Sequence, residues 1–146
     1  MSDIKNILLK YKSIAMIGVS NDPTKASTIV MKYMQKYGFK VYPVNPSAKG
    51  QKILGEEVFA KITDIKEKID IVDVFRPSRE AIEIAKDTVN IGAKVLWLQL
   101  GIKNNEEKKI VEKNKIEYVE DRCTKMEYQK HFLKVRQAFP VLQSQN

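Results

Sequence analysis

The strongest constraint on the fold is a rhythm. Four short apolar, β-branched runs, IAMIGV (14–19), KVYPV (40–44), IVDVF (71–75) and AKVLWLQL (93–100), are separated by stretches long enough for one amphipathic helix each. A run apolar at every position suits a strand buried on both faces, and strands alternating with helices make βαβ units around a parallel sheet. Right-handed crossovers then put helices on both sides. The sequence therefore predicts an α/β, Rossmann-like, doubly wound parallel sheet of five main strands in three αβα layers, the fifth and shortest strand at 116–119. Pro43 lacks a ladder donor and needs an edge, which favours the strand order 2-1-3-4-5.

The helices follow from 3.6-residue spacing and from caps. Ile4, Ile7, Leu8 and Tyr11 mark a helix over 2–12, and Ala26, Val30, Tyr33, Met34 and Tyr37 one over 27–37, with Gly38 at its left-handed end. Thr63 is placed to cap a short helix at 64–68. Pro77 and Ser78 open a helix with Ala81, Ile82, Ala85 and Val89 inward and Gly92 after it. Asn104 and Glu107 form a capping-box variant before a helix at 105–115. The last helix, 124–139, carries Tyr128, Phe132, Val135 and Phe139. Residues 45–57 read as loop, Val58-Phe59 as a stub strand and 140–146 as a frayed tail. With 146 residues and neither repeat nor linker, one domain spanning 1–146 is expected, its core at about 10–130.

Composition narrows the function. One cysteine, Cys123, excludes an intrachain disulfide and a Cys-cluster zinc site, so no metal is expected. No apolar run is long enough to cross a membrane and no secretory leader is evident, so a cytoplasmic location is expected. The net charge of +8 is concentrated early: residues 1–52 hold nine lysines against Asp3 and Asp22. Such a bias either attracts a polyanion or keeps the chain soluble. Only four of the 26 bases are arginine and no basic run is interleaved with aromatics, which argues against nucleic acid.

Doubly wound sheets bind ligands at the carboxyl ends of their strands, at the switch point between strands 1 and 3. That rule selects the loops 18–25 and 76–79, flanked by Asn45-Pro46. Gly18 lets a backbone come close to a ligand. Ser20, Asn21, Thr24, Ser27 and Thr28 supply side-chain donors, Lys25 adds charge, and the start of helix 27–37 favours an anion. There is no Walker motif, no GxGxxG and no acid at the end of strand 2. Lys40, Lys49 and Lys52 surround that strand instead. A nucleotide with an additional phosphate on its ribose fits better, which leaves NADP and coenzyme A open.

Here the sequence resembles the CoA-binding domain family, the doubly wound module at the N-terminus of the succinyl-CoA synthetase α subunit, and in particular its stand-alone members. The strings that carry the likeness are IAMIGVSNDPTKAS (14–27), VYPVNPSAKGQKILGEEVF (41–59), IDIVDVFRPSR (69–79), GAKVLWLQLGI (92–102) and VEDRCTKMEY (119–128). The resemblance implies coenzyme A or an acyl-CoA as ligand. By position, Gly18, Ser20 and Asn21 would meet the pyrophosphate, Val44, Asn45 and Pro46 the adenine and ribose, and Phe75 and Arg76 the adenosine and phosphates. Trp97, Gln99 and Gly101 would flank the pantetheine path. Lys49 and Lys52 are the residues offered for the 3′-phosphate. The ligase reaction of the synthetase needs a phosphorylated histidine from another domain, which this sequence does not supply. The expectation is a ligand-binding or regulatory protein without ligase activity of its own, with room for a protein partner or a homo-oligomer.

Individual residues leave alternatives. Arg76 suits bidentate phosphate contact or a salt bridge to Asp73 or Glu80. Gln99, polar in an apolar strand, needs a partner. Cys123 is either a thiol near the pantetheine sulfur, its pKa lowered by Arg122 and Lys125, or a small residue in a turn. Asp70 and Asp73 project to opposite faces, against paired acid–base work. His131 reads as a packing or surface residue with no carboxylate nearby. The other function class is an NADP-type oxidoreductase or another nucleotide-dependent enzyme.

Overall fold

Strands β1 (Ser13–Ile17) and β2 (Lys40–Val44) pair in parallel, as each of the main runs does with its neighbour. A computed structural model describes residues 3–134 of the chain. Two short strands, β3 (Lys52–Ile53) and β4 (Glu56–Glu57), make a separate antiparallel hairpin. The main sheet is completed by β5 (Ile71–Val74), β6 (Val95–Leu98) and β7 (Glu117–Val119) in the order β2-β1-β5-β6-β7, the expected topology with the hairpin counted in.

Pro43 explains why β2 is at an edge. The Lys40 N–H donates to the Lys12 carbonyl (2.8 Å), toward β1, whereas the Asn45 N–H donates outward to Phe59 (2.8 Å). Odd positions of β2 thus point their amides away from β1, and Pro43 stands where the ladder asks for no donor. Phe59 returns its own N–H to the Pro43 carbonyl (3.0 Å), so the stub strand exists as a single parallel bridge to Val44.

Alternation along the strands builds two cores. Ile14, Met16, Ile71, Val95 and Trp97 face one side, against Ile7 and Leu8 of α1 (Ile4–Lys10) and Val30, Met31 and Met34 of α2 (Ala26–Lys36). Ala15, Ile17, Val72, Val74, Leu96 and Leu98 face the other, against Ala85 of α3 (Ala81–Asn90) and Val111 of α4 (Asn105–Lys113). Each fully buried aliphatic side chain contributes about 1.5–3 kcal/mol. Gly38 and Gly92 follow α2 and α3 with φ of +91° and +71°, as their helix-end positions require.

Four expectations are corrected. The final helix is short: α5 (Thr124–Tyr128) loosens into π winding over Gln129–Leu133 and stops at left-handed Lys134. Val135 and Phe139 lie outside the described residues. No α-helix forms at 64–68. Instead Ile62–Asp64 is a 3₁₀ turn, because Ile62 and Ile65 are three apart and both bury, while 66–68 are exposed. The loop 45–57 contains the β3–β4 hairpin, turned by Leu54 (φ +51°) and Gly55 (φ +83°). Asn104 does cap α4, accepting from the Glu106 and Glu107 amides. Glu107 does not reach back to it. The Asn104 N–H goes to the Tyr118 hydroxyl, and Glu107 is fully buried, its carboxyl pushed up to about 7 by burial.

Candidate functional site

The crevice lies at the carboxyl ends of β1, β2 and β5. Gly18 ends β1 with φ of +91°, and its amide donates to the Val44 carbonyl (2.8 Å). A side chain there would meet the Phe75 carbonyl oxygen and Arg76 Cδ, both at 3.0 Å. This glycine therefore makes room for the end of β5, and it also lines the cavity at these strand ends.

The loop after β1 is held by its own side chains. The Ser27 hydroxyl accepts from the Ser20 amide (3.2 Å) and the Thr28 hydroxyl donates to the Ser20 carbonyl (2.6 Å). Ser20 accepts from the Asp22 amide, and Asn21 donates to Gln51 (3.2 Å). These bonds shape the loop, so the groups expected to meet a phosphate also hold its backbone in place. Asp22 takes both the amide and the hydroxyl of Thr24, which holds its carboxyl below the usual range. What the loop presents is the start of α2, where the N-cap residue Lys25 makes no side-chain capping bond. An 11-residue helix with an uncapped N-terminus and a lysine beside it is suited to an anion.

Beside that loop is a cavity of about 260 Å³. Its β1 and β2 walls are Ile17, Gly18, Val44, Asn45, Pro46 and Ser47. Asn45 is fixed, donating to the Val19 carbonyl (2.9 Å) and accepting from the Ser47 amide (3.0 Å). Ala60, Lys61 and Ile62 form a second wall, and Arg76, Glu80, Ile84 and Asp87 the third. Arg76 makes a two-pronged pair with Glu80, at 3.0 and 2.7 Å, so both readings of Arg76 meet in one residue: it lines the cavity and it is salt-bridged. The guanidinium holds the Glu80 carboxyl below its ordinary range. Asp87 is raised by burial and by Glu83, and lowered by Lys61.

Residues 12–129 match the sequence model of a CoA binding domain. The chain belongs to that family. It is 34% identical over 125 residues to the protein YneT of Bacillus subtilis, covering 86% of this chain and 91% of that one. The structure of the Thermus thermophilus protein cell-free ID.343 superposes with a TM-score of 0.86 at 34% identity, covering 90% of this chain and all of that one. The alpha subunit of acetate–CoA ligase [ADP-forming] I of Pyrococcus furiosus is 29% identical over 93 residues, which is 61% of this chain and only 20% of that subunit.

Within this CoA-binding domain the cavity gathers Gly18, Val44, Asn45, Pro46 and Arg76, with Ser20, Asn21, Lys25 and Ser27 on the adjoining loop. The other expected residues are elsewhere. Lys52 lies on β3 opposite Glu57, and it and Lys49 are exposed outside the cavity walls. Lys40 is paired with Glu56 at 2.8 Å. Phe75 packs against the α1–α2 core. Trp97 is fully buried there, its indole N–H donating to the Arg122 carbonyl (2.8 Å). Gln99 donates to Asp73 (2.6 Å) and to Thr124 (3.1 Å), and Thr124 donates to the other Asp73 oxygen (3.2 Å). Asp73 is fully buried and pushed up to about 7 by burial. Strand parity puts this cluster on the sheet face opposite the cavity. The Gly101 amide is taken by Asp121 (2.7 Å). Cys123 is the N-cap residue of α5, and burial pushes its thiol up, the reverse of the expected shift. His131 has a carboxylate beside it after all, Glu127 at 3.5 Å.

Sequence reasoning missed Lys61, Ile84 and Asp87, and named Glu80 only as a partner for Arg76 and not as a cavity wall. Glu80, the N-cap residue of α3, and Ile84 and Asp87 within it recur at helical spacing on a face that periodicity did not select, since it turned Ala81, Ile82, Ala85 and Val89 inward. Lys61 belongs to a segment assigned to no element. Among the described residues no group of three or more His, Cys, Asp or Glu is placed to hold a metal, and no helix is long and apolar enough to cross a membrane.

Proposed function

We propose that this domain binds coenzyme A or an acyl-CoA, with the adenosine in the cavity and the diphosphate at the start of α2. The observation that carries the reading is the union, at one switch point, of a nucleoside-sized cavity walled by Gly18, Asn45-Pro46 and Arg76 with an uncapped helix N-terminus. At about 260 Å³ the cavity is small for a whole ligand and sized for a nucleoside, so the pantetheine arm runs outside it. Asn45 is pinned by Val19 and Ser47, so this wall is set before any ligand arrives. Arg76 supplies the guanidinium for a phosphate once Glu80 yields it.

The role proposed is ligand holding or regulation without ligation. His131, against Glu127 on the last helical segment, is absent from the cavity walls and supports no phosphoryl relay there.

Thermal shift with CoA, acetyl-CoA, NADPH and ATP tests the assignment. A ligand at 100 times its Kd stabilises by about 2.7 kcal/mol. CoA and acetyl-CoA should raise Tm most, and Arg76→Ala should remove most of that rise while leaving the unliganded Tm within a few degrees. A shift with NADPH and none with CoA transfers the site to the oxidoreductase class.

A further inference from the structure

Two of the lysines that make the early charge surplus, Lys32 and Lys36, stand away from the switch point on the exposed side of α2. They line a groove of about 610 Å³, larger than the switch-point cavity and sharing no lining residue with it. Its apolar lining includes Ile29, Tyr33 and Leu54, and Ile29 and Leu54 are 44% and 39% exposed. Lys125, from α5, is the third cation, its Nζ held 5.5 Å from the centre of the Tyr33 ring. No carboxylate lines the groove, and none of the three lysines is in an ion pair among the described residues. Leu54 owes its place to the fold rather than to turn chemistry. It sits at the tip of the β3–β4 hairpin in left-handed backbone (φ +51°), where glycine or asparagine would be unstrained. Gln35 of α2 donates to its carbonyl (3.2 Å), which pins the tip beside the helix. An apolar side chain is thus held, partly in solvent, at a groove whose only charges are positive.

We propose that this groove docks an acidic amphipathic helix of a partner protein, with its apolar face on Ile29, Tyr33 and Leu54 and its carboxylates beside Lys32, Lys36 and Lys125. Charge complementarity selects that occupant. A second copy of the chain, presenting the same face about a two-fold axis, would set lysine against lysine. A bilayer takes up apolar groups that project from a surface, and here they line a recess. Ile29, Lys32, Tyr33 and Lys36 fall at i, i+3, i+4 and i+7, a stripe of two helical turns and about 10 Å. That length suits a partner helix anchored by two or three apolar side chains at the same spacing. The surface makes no use of the coenzyme A reading and stands or falls apart from it.

Fluorescence anisotropy of the full chain tests this with a labelled synthetic helix of about 14 residues, leucines on one face and glutamates on the other. The wild type should bind it about tenfold or more tightly than a scrambled peptide of the same composition or a version with lysine for glutamate, and binding should weaken as salt rises. Lys32→Glu/Lys36→Glu should weaken binding about tenfold. Lys108→Glu/Lys109→Glu, the same charge change at exposed positions of α4, should leave it within about twofold. Leu54→Gly relieves the left-handed backbone, so the hairpin survives, and should weaken binding about fivefold through the lost side chain. Wild-type binding no tighter than to the scrambled peptide, equal losses in the α2 and α4 charge variants, or full affinity in Leu54→Gly overturns the proposal. Co-sedimentation with vesicles of phosphatidylserine and phosphatidylcholine that is lost in Lys32→Glu/Lys36→Glu overturns it too, because the surface would then face a membrane.

Discussion

The two faces of the sheet treat polar groups differently along the same rim. On the face toward α3, Arg76, Glu80, Lys61 and Asp87 surround a cavity, and the Arg76–Glu80 pair is 45% and 37% exposed. On the face toward α2 and α5, Asp73, Gln99 and Thr124 are sealed together with at most 3% exposure. Each set joins a residue at or near the end of β5, Arg76 or Asp73, to polar partners from other elements. The second set is saturated from within, so it serves to dock α5 on β5 and β6. The first keeps charges that solvent and ligand can re-partner. A polar residue near a switch point is thus a binding candidate only when its own fold has not already consumed its hydrogen bonds.

The contrast breaks most directly at Gln99. Gln99→Leu removes the 2.6 Å donor from a fully buried Asp73 carboxyl and should cost about 2–4 kcal/mol in denaturant unfolding, with CoA affinity nearly unchanged. Lost CoA affinity at unchanged stability would instead put the cluster in the ligand path. The same cluster carries a pH signature. The folded Asp73 carboxyl is raised to about 7 from an ordinary 3.8, so it is protonated when folded and ionised when unfolded between those values. Its stabilising contribution is full below about pH 4 and is lost as pH rises through about 7. The stability of wild type relative to Asp73→Asn should fall across that interval. Glu107, raised in the same direction, is common to both chains and cancels. A difference that is flat with pH would contradict the buried, protonated carboxyl.

Gly18 sharpens the contrast by testing what separates the two faces. Gly18→Ala puts a Cβ against the Phe75 carbonyl oxygen at 3.0 Å, in a backbone conformation with φ of +91°. The expected loss is about 1–3 kcal/mol, measured as a lower denaturation midpoint without change in slope. If stability holds and only CoA binding suffers, the glycine serves the ligand, as the sequence alone suggested.

How far the sequence could be read follows the same division. The sheet order was legible because Pro43 and the both-sided apolar runs each permit few arrangements. The loop after β1 and the Asn45-Pro46 wall were legible because the switch-point rule needs only strand order. Tertiary partnership was not legible. The Arg76–Glu80 pair, four residues apart, was among the readings the sequence offered, but that Gln99 would find Asp73 and Thr124, and that burial would raise the Cys123 thiol despite Arg122 and Lys125, depend on residues brought together across as many as 51 positions. The hairpin at Leu54-Gly55 escaped because leucine is a poor turn signal, and its left-handed backbone is imposed by the strands it joins.

Glu80 offers the smallest effect and the finest discrimination. In the unliganded protein its carboxylate occupies the guanidinium fork that a phosphate would need, so it acts as a competitor tethered four residues from Arg76. The pair is more than a third exposed on both sides, so its contribution to stability is below about 1 kcal/mol, and Glu80→Gln should move the unfolding midpoint little. The same fraction of a kcal/mol, released to the ligand, should tighten CoA binding about two- to fivefold. Because the competition is between solvent-screened charges, the gain should shrink as ionic strength rises and the Debye length falls below roughly 8 Å. Weaker binding in Glu80→Gln would reverse the interpretation. Glu80 would then orient the guanidinium for the phosphate, and the cavity face would resemble its opposite in being pre-assembled by its own hydrogen bonds.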